Sequence, residues 1–260
     1  EKKISQYTKS NFSVALNSGT AALHLILHYL NINEKNEILL PSLTYVATAN
    51  AVKYCNAEPN FVDIEKKTLG VCPIKLEKYL KKICIFKNGK TINKYTKKEL
   101  RALIVVHLYG FPAQVDKLKI ICKKYNLLMI EDAAEALGSF YKKKHLGTWG
   151  DFGILSFNGN KIITTGGGGV ILAKKKNQEK YFRHISTHSK LKIKNDHVHD
   201  QIGFNYRMTN LSAALGCAQL ENINKIIKSK RLNHKFYKLK LEKNNYCLIL
   251  DEPKNSKINY

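Results

Sequence analysis

Apolar positions along the chain switch repeatedly between helical and strand-like spacing. Ala22, Leu23, Leu25, Ile26, Leu27 and Leu30 recur at three- and four-residue intervals and predict a helix over Thr20–Leu30. A short strand is predicted at Glu37–Leu40, ending at Pro41, then a helix over Thr48–Tyr54 and a strand over Pro59–Ile64. Ala102-Leu103-Ile104-Val105-Val106 is apolar throughout, the composition of a strand buried on both faces. An amphipathic helix over Asp116–Tyr125 precedes another strand, Leu127–Ile130, which runs into Glu131-Asp132. Two further strands, Ile154–Phe157 and Val170–Ala173, flank a run of four glycines. Strand and helix alternate, which implies an α/β fold with a mostly parallel sheet flanked by helices.

Two stretches depart from this rhythm. Lys75–Glu99 reads as a charged insertion with Asn88-Gly89 as its turn. Leu211–Ile227 carries one long helical pattern. The expected organisation is a large domain over residues 1–225 and the start of a smaller C-terminal domain over 226–260, most of it missing. The opening Glu1-Lys2-Lys3 lacks an initiator Met, so a preceding segment is expected to be absent as well.

Composition narrows the classes. With 260 residues, 44% hydrophobic, the chain can bury a large core. No apolar run approaches the roughly 18 residues of a membrane span, and no signal peptide opens the chain. The six cysteines are scattered without a C-x-x-C pair, which favours reduced thiols in a cytoplasmic protein over a zinc site or disulfide scaffold. A formal charge of +24 invites a nucleic-acid reading. Against it, forty of the 44 basic residues are lysine, whereas bidentate phosphate and guanine contacts favour arginine. Lysines at 123–124, 142–144 and 174–176 read as solvated faces. The charge would still attract a small anionic substrate.

The candidate chemistry lies in four short motifs. Asn17-Ser18-Gly19-Thr20 stands where loop becomes helix, a phosphate seat or an ordinary helix cap. Asp132 ends a buried strand, where open α/β sheets carry ligands, and reads equally as the cap of a helix starting at Ala133-Ala134. Lys161 follows Ser156-Phe157-Asn158-Gly159-Asn160, and an amine in a confined pocket can form a Schiff base with an aldehyde. Gly166–Gly169 allows close approach of backbone to a ligand, or a tight hairpin turn. A phosphate seat, a carboxylate for a pyridinium nitrogen and a lysine for an aldehyde together meet the requirements of pyridoxal 5'-phosphate.

The chain resembles the DegT/DnrJ/EryC1/StrS family of sugar aminotransferases. The resemblance is carried by Asn17–Leu23, Pro41–Thr48, Val106–Gly110, Glu131–Ala136, Ser156–Gly169 and Gly203–Met208, in family order. The wording of Ser156–Gly169 is similar to the LegC-like branch, which aminates UDP-4-keto-6-deoxy-N-acetylhexosamines.

The resemblance implies a fold type I transferase in which Lys161 holds the cofactor and shuttles the proton. Asp132 would pair with the ring nitrogen, Tyr45 would stack on the ring, and Ser18, Gly19, Thr20 and Ser156 would hold the phosphate. Asn205 would reach the phosphate in a neighbouring subunit, making a homodimer with shared sites. Glu135 stands near the cofactor's phenolic oxygen, where two anionic oxygens are compatible only if one is protonated; otherwise it turns toward the sugar. His107 and Arg207 position ligand groups or are a packed strand histidine and a surface arginine. His184, His188, His197 and His199 show no metal spacing. Lys161 argues against the related sugar-dehydrating branch, which has His at that position. The implied partners are a nucleotide-sugar substrate and an amino-acid donor, L-glutamate, in surface glycan biosynthesis, with no metal; the alternative substrate within the family is a GDP- or dTDP-linked 4-ketosugar.

Overall fold

Along the central strands, neighbouring apolar side chains enter different cores. Ile38 and Leu40 join one cluster and Leu39 the other, and Ile104 separates from Leu103 and Val105 in the same way. A strand presents successive side chains to opposite faces, so a continuously apolar run must be covered twice. In the computed structural model, which describes residues 1–191, 193, 196–242 and 249–260, helices provide that cover.

The chain opens with α1 (Lys2–Thr8), β1 (Phe12–Leu16), α2 (Gly19–Tyr29), β2 (Asn36–Pro41), α3 (Val46–Tyr54) and β3 (Glu58–Val62). It continues through α4 (Pro73–Ile83), β4 (Cys84–Lys87), β5 (Lys90–Asn93), β6 (Glu99–Val106), α5 (Val115–Lys124) and β7 (Leu128–Asp132). Next come β8 (Phe140–Tyr141), β9 (Lys144–His145), β10 (Phe152–Ser156), β11 (Gly169–Ala173) and α6 (Lys176–Ile185). The last elements are α7 (Asn210–Glu221), α8 (Ile223–Leu241) and β12 (Ser256–Lys257). The main sheet runs β1-β11-β10-β7-β6-β2-β3, with the β4–β5 hairpin joined at β6. Pairings from β10 to β3 are parallel, and β11 is antiparallel to both neighbours. The expected α/β architecture is therefore the observed one.

One face packs Leu23, Ile26 and Leu27 of α2 and Phe182 of α6 against Ile104, Ile130 and Ile154. The opposite face packs Leu76 and Leu80 of α4 and Leu118 and Ile121 of α5 against Leu103, Val105 and Met129. Toward β11 that face is closed by Ile4, Leu220, Ile223 and Ile227 against Leu155 and Leu172.

Several details differ from the sequence expectation. The insertion at 75–99 contains a buried-face helix, α4, and a hairpin, because Leu76, Leu80 and Ile83 recur at helical spacing among the lysines. Its turn is the expected one: Asn88 and Gly89 have φ of 50° and 72°, as a tight two-residue hairpin turn requires. The pattern at 211–227 is two helices interrupted at Asn222, whose φ and ψ of −98° and 2° leave the helical region. The boundary expected at 225/226 falls inside α8. No helix starts at Ala133-Ala134, which form a turn.

The lysines at 123–124, 142–144 and 174–176 are exposed. Cys55, Cys72, Cys84, Cys122 and Cys217 are unpaired, while Cys247 lies outside the described residues. Burial pushes the Cys55 and Cys84 thiols up to about 11 and that of Cys122 to about 12, so they behave as small core hydrophobes. No helix among the described residues is long and apolar enough to cross a membrane.

The two sides of α4 should respond differently to truncation. Leu80→Ala, at a fully buried position, should lower unfolding free energy by about 2–5 kcal/mol. Ile74→Ala, on the exposed side, should stay within about 0.5 kcal/mol of the parent. Urea denaturation checks both.

Candidate active site

Three neighbouring parallel strands end side by side, β10 running two residues past β6 and β7. Val106 closes β6, Asp132 closes β7 and Ser156 closes β10, and all three border one cavity of ≈ 340 Å³. Open α/β sheets place ligands at the carboxyl ends of their strands because loops there leave the crevice uncovered by helices. Ser18, Gly19, Thr20, Tyr45, Glu135 and Lys161 line the same cavity, so eight of the nine expected site residues converge. Asn205 does not line this cavity. It is exposed, and its carbonyl accepts a hydrogen bond from Asn17 Nδ2 at 3.2 Å.

At one end the cavity meets the start of α2. Ser18 caps this helix, its Oγ accepting the Ala21 N–H at 3.0 Å. The N–H groups of Gly19 and Thr20, at the first two helical positions, have no intrahelical acceptor and suit an anion. A Cβ at Gly19 would lie 3.1 Å from Ser156 Cβ, so glycine lets the helix terminus and the Ser156 hydroxyl approach the same space. The cap reading of this motif is therefore observed, and the same helix end leaves its free N–H groups facing the cavity.

Asp132 is 7% exposed. Its Oδ2 accepts the Thr48 hydroxyl at 2.8 Å, and its Oδ1 accepts the Ala134 N–H at 3.2 Å. Burial pushes this carboxyl above its ordinary value, more than the Thr48 and Ala134 hydrogen bonds and the Lys161 charge pull it down. Among the described residues it has no ion-pair partner, since Lys161 pairs with Glu135 instead. Thr48 ends the Pro41–Thr48 segment but is not among the site residues expected from sequence; its place one helical turn beyond Thr44-Tyr45 is the signal for it.

The neighbouring carboxylate has the opposite character. Glu131 is fully buried and accepts the N–H groups of Gly147 at 2.8 Å and Gly150 at 2.6 Å. His107 Nδ1 accepts the Ala113 N–H at 3.3 Å, so the ring proton sits on Nε2, which donates to Glu131 at 2.9 Å. Burial pushes Glu131 up, but His107 and the two backbone donors outweigh it and hold the carboxyl below its ordinary value. His107 borders the cavity with both ring nitrogens engaged, which makes it the packed strand histidine. Arg207 is exposed, bridges Leu16 through its backbone and lies outside the cavity.

Lys161 lies on the loop of the β10–β11 hairpin. Phe157 N–H bonds Gly168 carbonyl at 2.8 Å, Thr165 N–H bonds Phe157 carbonyl at 2.9 Å, and Lys161 N–H bonds Asn158 carbonyl at 3.0 Å. The glycine run thus serves a hairpin and also borders the cavity through Gly167 and Gly168. Lys161 Nζ donates to Glu135 Oε1 at 3.0 Å, and Glu135 Oε2 accepts the Tyr109 N–H at 2.7 Å. The Tyr45 side chain stands at the rim of the cavity, 72% exposed.

These residues fit pyridoxal phosphate. The anion seat would take its phosphate, the uncompensated Asp132 its cationic ring nitrogen and Lys161 its aldehyde. Among the described residues no group of His, Cys, Asp and Glu is arranged to hold a metal.

A sequence profile of the DegT/DnrJ/EryC1/StrS aminotransferase family matches residues 1–260. The chain belongs to this family. It is 39% identical over 238 residues to GDP-perosamine synthase of Escherichia coli O157:H7, covering 92% of this chain and 61% of that protein. It is 33% identical over 249 residues to UDP-4-amino-4,6-dideoxy-N-acetyl-beta-L-altrosamine transaminase of Campylobacter jejuni subsp. jejuni serotype O:23/36 (strain 81-176), covering 95% of this chain and 62% of that protein. The chain thus spans about three fifths of the length of these curated relatives. Its fold matches the sugar aminotransferase Spr1654 of Streptococcus pneumoniae, described in its PMP-form as putative, with a TM-score of 0.87, 25% identity and coverage of 100% of this chain and 66% of that one. The DegT/DnrJ/EryC1/StrS membership and the α/β architecture agree with the sequence resemblance.

The Glu131 contacts set an acid limit on folding. A carboxyl held below its ordinary value of 4.5 contributes its full stabilisation above that pH and loses it as pH falls through the lower folded value. Glu131→Gln should cost about 3–5 kcal/mol at neutral pH and flatten this acid dependence, as read from urea midpoints measured downward from pH 7.

Proposed function

We propose that this chain carries the catalytic cavity of a pyridoxal-phosphate-dependent aminotransferase acting on the 4-keto group of a nucleotide-linked deoxysugar. One observation supports it above the others: Lys161 Nζ and the uncompensated Asp132 carboxyl border a single cavity that ends at a helix N-terminus. When bound, pyridoxal phosphate supplies an aldehyde for the amine and a ring that withdraws electrons from the bond being broken.

The chain's own groups do the rest. Gly19 and Thr20 N–H groups and the Ser18 and Ser156 hydroxyls hold the phosphate. Asp132, braced by Thr48, keeps the ring nitrogen protonated. Tyr45 covers the ring at the rim. Lys161 Nζ carries the proton during the exchange, and Glu135 holds that amine when it is free. Asn205, exposed and outside its own cavity, serves the site of a second copy in a homodimer. L-glutamate is the amino donor in this reading, and the product feeds surface glycan assembly.

Two nucleotides divide the support. The wording of Ser156–Gly169 and the Campylobacter relative favour UDP-4-keto-6-deoxy-N-acetylhexosamine, whereas the Escherichia coli relative favours a GDP-linked 4-ketosugar. Full-length protein given UDP-, GDP- and dTDP-4-ketosugars with L-glutamate, its products weighed by mass spectrometry, separates them. An amino sugar should form from one nucleotide class.

Lys161→Ala should abolish product formation, and borohydride reduction with the cofactor present should label position 161 in the parent alone. A variant that turns over normally, or a label elsewhere, defeats the assignment. Asp132→Asn should unfold, cofactor-free, at the same or a higher temperature than the parent, because ionised Asp132 costs stability above its raised pKa. Added cofactor should raise the parent's Tm and leave that of Asp132→Asn nearly unchanged. Thermal melts with and without pyridoxal phosphate test both halves.

A further inference from the structure

Glu135 is held from a distant part of the chain. Asn259, 2% exposed, uses its side-chain Nδ2 to donate to the Glu135 carbonyl at 2.8 Å and to the Leu137 carbonyl at 2.9 Å. Its own N–H donates to Ser139 Oγ at 3.0 Å. One side chain therefore fixes the turn that carries Glu135. The residue is separated from Glu135 by 124 positions, so this order is imposed by tertiary docking and not by local sequence.

The other end of the same amide bears on the opposite wall. Asn259 Oδ1 is buried with no hydrogen-bond partner among the described residues. A Cβ added at Gly110 would lie 2.0 Å from that oxygen, so Asn259 presses directly on the backbone of Gly110. Gly110 has φ of 77°, and its neighbour Tyr109 adopts a left-handed φ of 52°, uncommon for a residue with a side chain. Tyr109 is the residue whose N–H holds Glu135 Oε2 at 2.7 Å. Asn259 thus sits between the turn that presents the Glu135 carboxylate and the turn that grips it.

Its position is secured by the segment around it. Ser256 and Lys257 pair with Tyr141 and Phe140. Arg231 of α8 donates to both Glu252 oxygens, at 2.8 and 2.9 Å, and to the Ile258 carbonyl at 2.6 Å. His234 stacks on Tyr260 with ring centroids 3.8 Å apart. An unpaired buried amide oxygen has a real cost. Three donor bonds and this docked strand offset it, and the oxygen's contact with Gly110 leaves no room for the turn to move inward.

We propose that Asn259 is a positioning residue for the Glu135–Lys161 pair, through which the docked C-terminal strand sets the geometry of the cavity. The proposal rests on the reading of Lys161 as the reactive amine, but its physical content is the placement of a carboxylate, which is measurable without cofactor or turnover. Loss of the Asn259 amide frees the Glu135 turn, withdraws Oε2 from Tyr109 and leaves Lys161 without a fixed partner.

Amide hydrogen exchange at Tyr109 in the cofactor-free, full-length protein tests it. Asn259→Ala and Glu135→Ala should each speed exchange at Tyr109 by about tenfold or more, since both remove the carboxylate that protects this N–H. The double variant should exchange no faster there than Glu135→Ala alone. Unchanged Tyr109 exchange in Asn259→Ala, or a further increase in the double variant, overturns the proposal. Faster exchange confined to β12 and α8 also overturns it, because that marks a structural role only. Should Asn259→Ala fail to fold, Ser139→Ala removes the acceptor of the Asn259 N–H. It should raise Tyr109 exchange several-fold, and not at all in the Glu135→Ala background; any other pattern counts against the proposal. A failed Lys161 assignment with coupled exchange would refute the enzymatic reading and leave this one standing.

Discussion

A carboxylate buried at the end of a strand, with two hydrogen bonds and no ion-pair partner among the described residues, is the constraint around which this site is built. Asp132 is dry enough that its charged form is disfavoured, and Thr48 and Ala134 only partly compensate. Such a group would be selected against as scaffold, since an apolar residue would pack there at less cost. It makes sense where a ligand brings a positive charge, because in a low-dielectric pocket that pairing is stronger than in water. The placement of α3 follows from it, because Thr48 must present its hydroxyl to Oδ2. So does the placement of β6, just beyond which the His107 N–H bonds the Asp132 carbonyl at 3.0 Å and ties the strand ends together.

Glu131 and Asp132 show how one strand divides structure from chemistry. Being adjacent, they point to opposite faces. Glu131 meets His107 and two backbone donors, and its carboxyl is held down. Asp132 meets the cavity, and its carboxyl is pushed up. The first ties the Gly147–Gly150 loop to the sheet. The second borders the cavity. Covalent neighbours with the same functional group thus acquire opposite pKa shifts from geometry alone.

The strands at the centre were legible because both their faces are buried, which leaves no polar residue to interrupt the apolar run. Asp132, Lys161 and the Ser18–Thr20 turn could be read for the same kind of reason, since each carries its chemistry in its own local sequence. The elements that escaped are those whose signal is diluted. Lysines on α4 and α6 mask the few apolar positions each buries, and β1 offers only Phe12–Leu16, recognisable as a strand once β11 lies beside it. The break at Asn222 has no Pro or Gly to announce it. Long-range contacts left least trace: Thr48 to Asp132 spans 84 positions and Asn259 to Glu135 spans 124, and nothing in either local sequence names its partner.

The abundance of lysine raises the question of why position 161 should differ from thirty-nine others. Exposure answers it. Lysines in the exposed ion pairs leave 29–64% of their side chains accessible, a regime in which solvent screens the charge and a pair contributes little. Lys161 leaves 12%, against a Glu135 whose carboxylate is fixed by a backbone N–H. Burial of an amine beside a fixed acceptor limits its rotamers as well as its hydration, so Nζ has a defined place in the cavity before any ligand arrives. Holding a reactive group in position in advance lowers the entropic cost of reaction. The hairpin supplies that order through the Phe157–Gly168 and Thr165–Phe157 bonds, which close the loop independently of what binds inside it. The four glycines therefore matter less for flexibility than for closing a rigid loop tightly enough to leave Lys161 less exposed than the lysines of those surface ion pairs.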